Sequence, residues 1–360
     1  MSYDEILKEL RAKLGDSREE NDKMLRKEAE KFAKEKNADG LKAASELLTE
    51  NMSEEQREEI KRITQIDGVR LDQIHNQIVE LINKHSSIEA KPLAEKLYKK
   101  ITVEFKEGEK AKFVSLRNPF EDNLCQILFK QDKVLNRTPF DFATYITTYA
   151  YILTETGSPF DAIPVLQKAI EYNPVDCGPK FELAEVYKIL KNKKRLFEIT
   201  RDTIKVASSP VALARCYANI GYALTDSQDY DDAAAFYTAS VMMAPHPAIP
   251  HEMRNLAQLK GTPLKVFSHE QILAVFKKYD IEFGPNTEVI KVASQLAAYY
   301  LGERDIPNAL NALKITYNLT RDEQVKKIIL KYEPESAKDF VPVNEGRPNI
   351  TKTVNENYKK

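Results

Sequence analysis

The chain has 360 residues, of which 30% are charged, with only 11 glycines and no tryptophan; that balance favours helix over a turn-rich β fold and suits two ordinary domains or one extended helical array. Its 54 Lys+Arg nearly cancel 55 Asp+Glu, which removes any global electrostatic case for nucleic acid or an anionic membrane surface as partner. Cys125, Cys177 and Cys216 are too scattered for a disulfide framework or a metal site, the first ten residues, MSYDEILKEL, lack a signal-peptide pattern, and no apolar run reaches the about 18 residues of a membrane span, so the expected location is cytoplasmic.

The first hundred residues read as a polar, helix-rich module. Ile6, Leu7, Leu10 and Leu14 mark one helical face, and Leu25, Ala29 and Phe32 mark the next. Asp39-Gly40 is expected to interrupt that second helix, with a short helix following over 43–48. Ser53 with Gln56 three residues on is a capping-box start. Ile74, Ile78, Leu81 and Ile82 define an amphipathic helix over 71–85, and 90–100 is a further short one. Ile101, Val103 and Phe105 then alternate with polar residues ahead of Glu107-Gly108, and Phe113 and Val114 follow, so 101–116 is expected to be a β-hairpin lying on helices.

From 117 to 332 the pattern is helical hairpins. Asn118-Pro119 starts a helix to about 128. Thr138-Pro139, with Asp141 two residues on, reads as an N-cap and first turn, and Gly157 ends that helix. Ser158-Pro159 repeats the start. Five helix pairs are expected between 140 and 318, with a capping helix over 322–332 and a loose polar tail over 333–360.

The pairs share a skeleton. Ala150, Leu153, Ala162, Leu166, Ala169 and Pro174 recur at identical offsets as Gly221, Leu224, Ala233, Tyr237, Ser240 and Pro245. Tyr149, Ala150 and Leu153 recur 34 positions on as Leu183, Ala184 and Tyr187. Small residues suit close helix crossings, large ones fill the groove beside them, and proline follows the second helix. This period and pattern resemble the tetratricopeptide repeat. The resemblance covers a little over half the chain and departs from the family at Leu196, where a small residue is usual, and Thr200, where an aromatic is usual. The interval 251–280 lacks a small crossing residue in its second helix.

The resemblance implies an all-α superhelix, here with an N-terminal helical module and one small β-hairpin, whose first helices line a concave ligand groove. The groove positions it implies are Thr147 and Tyr151, then Phe181, Glu185 and Lys188, then Arg215, Asn219 and Tyr222, and finally Ser294 and Ala298. The Lys–Asn pair with which some members hold a terminal carboxylate is absent at Thr147 and Tyr151. Arg215 and Asn219, one turn apart, are half of a similar arrangement. Tyr151, Phe181 and Tyr222 are candidates for an aromatic floor under a peptide, against the alternative of plain helix packing. Tyr145, Tyr149, Tyr187 and Tyr237 are assigned to packing.

Catalytic readings are weaker. His246 and His251 flank a proline-rich loop without a third ligand, no glycine-rich phosphate loop or nucleophile elbow occurs, and Cys125 lies on an apolar helix face. No cofactor is expected. The expected function is a non-catalytic protein- or peptide-binding scaffold. The alternatives are a peptide-responsive regulatory sensor, similar in layout to Gram-positive peptide receptors but without a recognisable helix-turn-helix, and a subunit of an enzyme complex.

Overall fold

The computed structural model describes residues 2–35, 37–340 and 350–358. It divides into two compact units, Met1–Ile74 and His75–Lys360.

The first unit holds α1 (Tyr3–Ala12), α2 (Arg18–Lys34), α3 (Ala38–Asn51), α4 (Glu54–Thr64) and the antiparallel pair β1 (Gln65–Ile66) and β2 (Val69–Arg70). Ile6, Leu10, Leu25, Phe32, Ala43, Ala44 and Leu47 form its core, the helical stripes legible in the sequence. Ser53 and Gln56 make the capping box. Gly40 does not interrupt a helix. Asn37 caps α3 by accepting from the Gly40 amide at 2.9 Å, and Gly40 sits in the first turn against the Phe32 ring. A Cβ there would fall 2.4 Å from ring carbons, so the glycine serves a close helix crossing.

The division between units falls within α5 (Leu71–Asn83), and α6 (Ser87–Glu104) opens the second unit's remaining order. The hairpin expected over 101–116 is absent. Ala90, Ala94, Leu97 and Ile101 form a buried stripe at three-to-four spacing that carries α6 through Glu104, while Val103 is exposed. Three alternating residues were too few to separate a strand from the end of that stripe. The strand that does form, β3 (Ala111–Val114), pairs parallel with β4 (Val134–Arg137), and α7 (Pro119–Leu128) lies between them in sequence. A parallel pair needs such a crossover. Buried Asn173 fixes this ladder by donating to Ser115 O at 3.1 Å and to Glu121 Oε2 at 2.9 Å.

Beyond β4 run α8 (Phe142–Glu155), α9 (Pro159–Tyr172), α10 (Cys177–Ile189), α11 (Lys193–Ile204), α12 (Pro210–Asp226) and α13 (Tyr230–Met243). They form three successive antiparallel pairs, with Ala150, Ala162, Gly221 and Ala233 buried where the helices cross. One start differs from expectation. Thr138 is no N-cap; its hydroxyl is occupied by Val114 O and Phe140 O beside the β ladder. Asp141 caps α8, accepting from the Thr144 amide at 3.2 Å.

After α13 the expected stacking fails. Next come α14 (Ile249–Lys260), α15 (His269–Lys278), α16 (Thr287–Gly302), α17 (Ile306–Thr320) and α18 (Glu323–Tyr332). α15 packs on α13 instead of pairing with α14. Its inward residues, Ile272, Val275 and Phe276, are too large for a close crossing, and Phe276 stacks on Phe236 at 4.2 Å. The following loop passes Tyr217, whose hydroxyl accepts from the Gly284 amide at 2.8 Å. α16 then lands on α7, where Val289 and Val292 join Leu124, Cys125, Val175 and Val206 in a buried cluster. The pair α16–α17 therefore forms but does not extend the stack, and α18 packs on α17.

The tail is not loose where it is described. A 3₁₀ turn covers Pro334–Asp339, and α19 (Ile350–Tyr358) packs on α14 and α13, burying Thr351 and Val354. The expectation for 341–349 and 359–360 lies outside the described residues.

Candidate functional site

α8, α10, α12 and α14 present their faces to two neighbouring cavities. The first, of about 510 Å³, is lined by Thr147 and Tyr151 of α8, Pro179 and Glu182 of α10, and Val79 and Ile82 of α5. The second, of about 470 Å³, is lined by Glu185 and Lys188 of α10, Arg215, Asn219 and Tyr222 of α12, and Ile249 and Glu252 of α14, with Tyr237 and Ser240 of α13. Glu182 links the two, 3.9 Å from Arg215.

Five of the seven residues selected from the sequence thus meet around one cavity: Glu185, Lys188, Arg215, Asn219 and Tyr222. Their offsets along α10 and α12 place them on facing stripes. Tyr151 opens on the neighbouring cavity at 38% exposed. Phe181 is buried, and the Arg215 guanidinium lies over its ring at 4.4 Å. Phe181 is therefore a platform for Arg215, not an open floor. Ser294 and Ala298 line neither cavity, because α16 folds back onto α7.

The charges are largely compensated within the site. Glu185 Oε1 accepts from Lys188 Nζ at 2.9 Å and from Arg215 Nη2 at 3.4 Å. The Lys188 ammonium also sits 5.4 Å from the centre of the Tyr222 ring. Burial raises the Glu182 carboxyl above its ordinary range, partly offset by Arg215. Burial likewise raises the Tyr222 phenol, which stays neutral at physiological pH. Asn219 is the exception to this pairing. Its side chain is buried, at 2% exposed, and its Nδ2 has no hydrogen-bond partner among the described residues. A buried donor left unpaired costs about 1–3 kcal/mol, and the residue that carries this one lines the second cavity.

The far wall of the second cavity escaped the sequence reading. Ala244, Pro245, His246, Ala248, Ile249 and Glu252 come from the α13–α14 turn and the start of α14. The signal was the proline after α13, which marks the helix end but not that the loop turns back to the groove.

Stacked antiparallel helix pairs with small residues at the crossings and a cavity along the first helices define a helical-repeat protein. The tetratricopeptide repeat family model matches residues 214–247, which span most of α12 and all of α13. Over that stretch the chain is similar to the tetratricopeptide-repeat family. No curated protein matches it. A solved structure titled as the functional characterization of Pseudomonas aeruginosa pilF is similar over 74% of this chain and 97% of its own, at 11% identity and a TM-score of 0.38, a likeness that carries no argument about this chain. Among the described residues no helix is long and apolar enough to cross a membrane.

Proposed function

We propose that the groove along α8, α10, α12 and α14 binds an extended peptide segment of a partner protein, and that the chain serves as a non-catalytic scaffold. The unpartnered amide of Asn219 at the edge of the second cavity carries this reading. An extended peptide offers a backbone carbonyl at every residue, and Asn219 Nδ2 is a donor without an acceptor. Tyr222 and Tyr151 supply half-exposed rings on either side for the peptide's side chains.

The charge balance refines the ligand. Arg215 is not a free cationic anchor, because Glu185 and Glu182 already neutralise it. A terminal carboxylate would have to displace Glu185 from two cations, whereas a backbone carbonyl meets Asn219 without breaking that network. An internal, uncharged stretch of peptide therefore fits better than a C-terminus.

The test is a peptide library panned against the full chain, with a selected peptide titrated calorimetrically into wild type, Asn219→Ala, Tyr222→Ala and Lys27→Ala. Loss of the Asn219 contact is expected to cost about 1–3 kcal/mol of affinity. Lys27, on the exposed face of α2, is expected to contribute nothing. Equal affinities for Asn219→Ala and Lys27→Ala would sink the groove reading.

A further inference from the structure

In the second unit α14 is covered by a helix from far along the chain. α14 has no second helix from its own hairpin, since α15 packs on α13 instead. α19 packs on α14 and, less extensively, on α13. Thr351, Val354 and Asn355 are among the residues that seat it there. The Thr351 hydroxyl lies 3.1 Å from that of Thr238, and both residues are buried. Val354 is 3% exposed, in the same apolar cluster as Met253, Leu256 and Leu264. Asn355 bridges the Leu264 backbone, donating Nδ2 to its carbonyl at 2.7 Å and accepting its amide on Oδ1 at 2.9 Å. The other face of α19, with Lys352, Thr353 and Glu356, is exposed.

We propose that the seat formed by α13, α14 and the Leu264 backbone is a helix-binding surface, held in cis by α19, whose partner is a helix presenting a hydroxyl residue, a β-branched residue three positions on and asparagine next to it. The chemistry follows from what the seat exposes when α19 leaves. Leu264 then offers one donor and one acceptor side by side, a pair that a single carboxamide satisfies and that an apolar or charged side chain does not. Thr238, whose hydroxyl donates to Ala234 O at 2.7 Å, presents its remaining capacity as an acceptor for a hydroxyl. The slot between them is apolar and takes a side chain of valine size. A nine-residue helix with two buried side chains among its described residues is weakly held by itself, and tethering to the same chain supplies an effective concentration on the order of millimolar. A partner helix competes against that tether.

This inference does not depend on the groove reading. A fluorescein-labelled peptide of residues 350–360 is titrated into the full chain and into its Val354→Asp variant, which empties the seat without altering α13 or α14. The peptide is expected to bind the variant at least about tenfold more tightly than wild type, where the cis helix blocks it. A peptide carrying Ala in place of Asn355 is expected to lose about tenfold on the same variant. Equal binding to wild type and variant, or no binding to a variant that keeps the native far-UV spectrum and melting transition, would overturn the proposal. If Val354→Asp costs the fold, the full-chain Asn355→Ala variant, which loses only the amide bridge, takes its place in the same titration and is read by the same criteria.

Discussion

Gly221 and Tyr237 meet where α12 crosses α13, and a Cβ on Gly221 would lie 3.1 Å from three atoms of the Tyr237 ring. Gly221→Leu should overpack that crossing and cost about 1–3 kcal/mol, read from chemical denaturation. Asn219, two residues earlier, tests a different balance. Its buried, unpartnered amide is a cost to the free protein, so Asn219→Leu should hold or raise the melting temperature while abolishing peptide binding. A clear fall in melting temperature would show that the amide has a partner in solution. His75 gives a pH dependence. Its ring stacks on Tyr145 at 4.1 Å, and its Nε2 faces Thr148 Oγ1 at 3.0 Å. The Thr148 hydroxyl donates to Thr144 O, so the ring nitrogen is the donor. Burial lowers the His75 pKa from 6.5 to about 4, partly offset by the Asp141 carboxylate. Between those values the unfolded chain binds a proton that the folded chain does not. Stability should therefore fall as pH drops from about 6.5 to 4, and His75→Gln should show a smaller loss of melting temperature from pH 7 to pH 5 than wild type.

At the scale of the element, starts and ends follow local chemistry. Gly157, at φ 81°, closes α8 in a left-handed conformation that costs glycine little, and α13 runs over the residues its pattern marks, Tyr230–Met243. The start of α8 was misread because Thr138-Pro139 and Asp141 are both plausible caps locally. The β4 strand decides between them by drawing Thr138 into its ladder. Asp141→Ala should accordingly cost about 0.5–2 kcal/mol as a lost cap. Calorimetric melting of Asp141→Ala checks this, and an unchanged midpoint would count against the cap. The absent hairpin has the same kind of cause. Ile101 and Phe105 satisfy a strand period and a helix period equally, and burial beside Leu97 selects the helix.

At the scale of the whole chain, the groove and the fold-back use different parts of the second unit. Val289 and Val292 hold α16 to the cluster around α7, away from both groove cavities. Val292→Asp should therefore detach α16–α17 and lower the melting temperature while leaving affinity for a groove peptide within about twofold, since distant sites without shared partners act additively. A parallel collapse of binding would mean that the groove depends on the fold-back. Most helices, and the meeting of five of the seven selected residues around one cavity, were legible because they rest on spacing along one helix or its repeat. The far cavity wall was not, because Ile249 and Glu252 reach the site only through the turn after α13.

Periodicity by itself determined the helical class, the 34-residue register and the faces of α10 and α12 that carry Lys188, Arg215 and Asn219. Those properties follow from offsets within an element, which side-chain size and polarity encode directly. Tertiary structure alone decided that Glu185 neutralises Arg215, that the Asn219 Nδ2 has no partner among the described residues, that α15 packs on α13 rather than on α14, and that α19 packs on α14. Each of these depends on which surfaces meet across long stretches of chain. Bulky Ile272, Val275 and Phe276 forbid one close crossing, but only the packed molecule shows where the displaced helices find their apolar contacts.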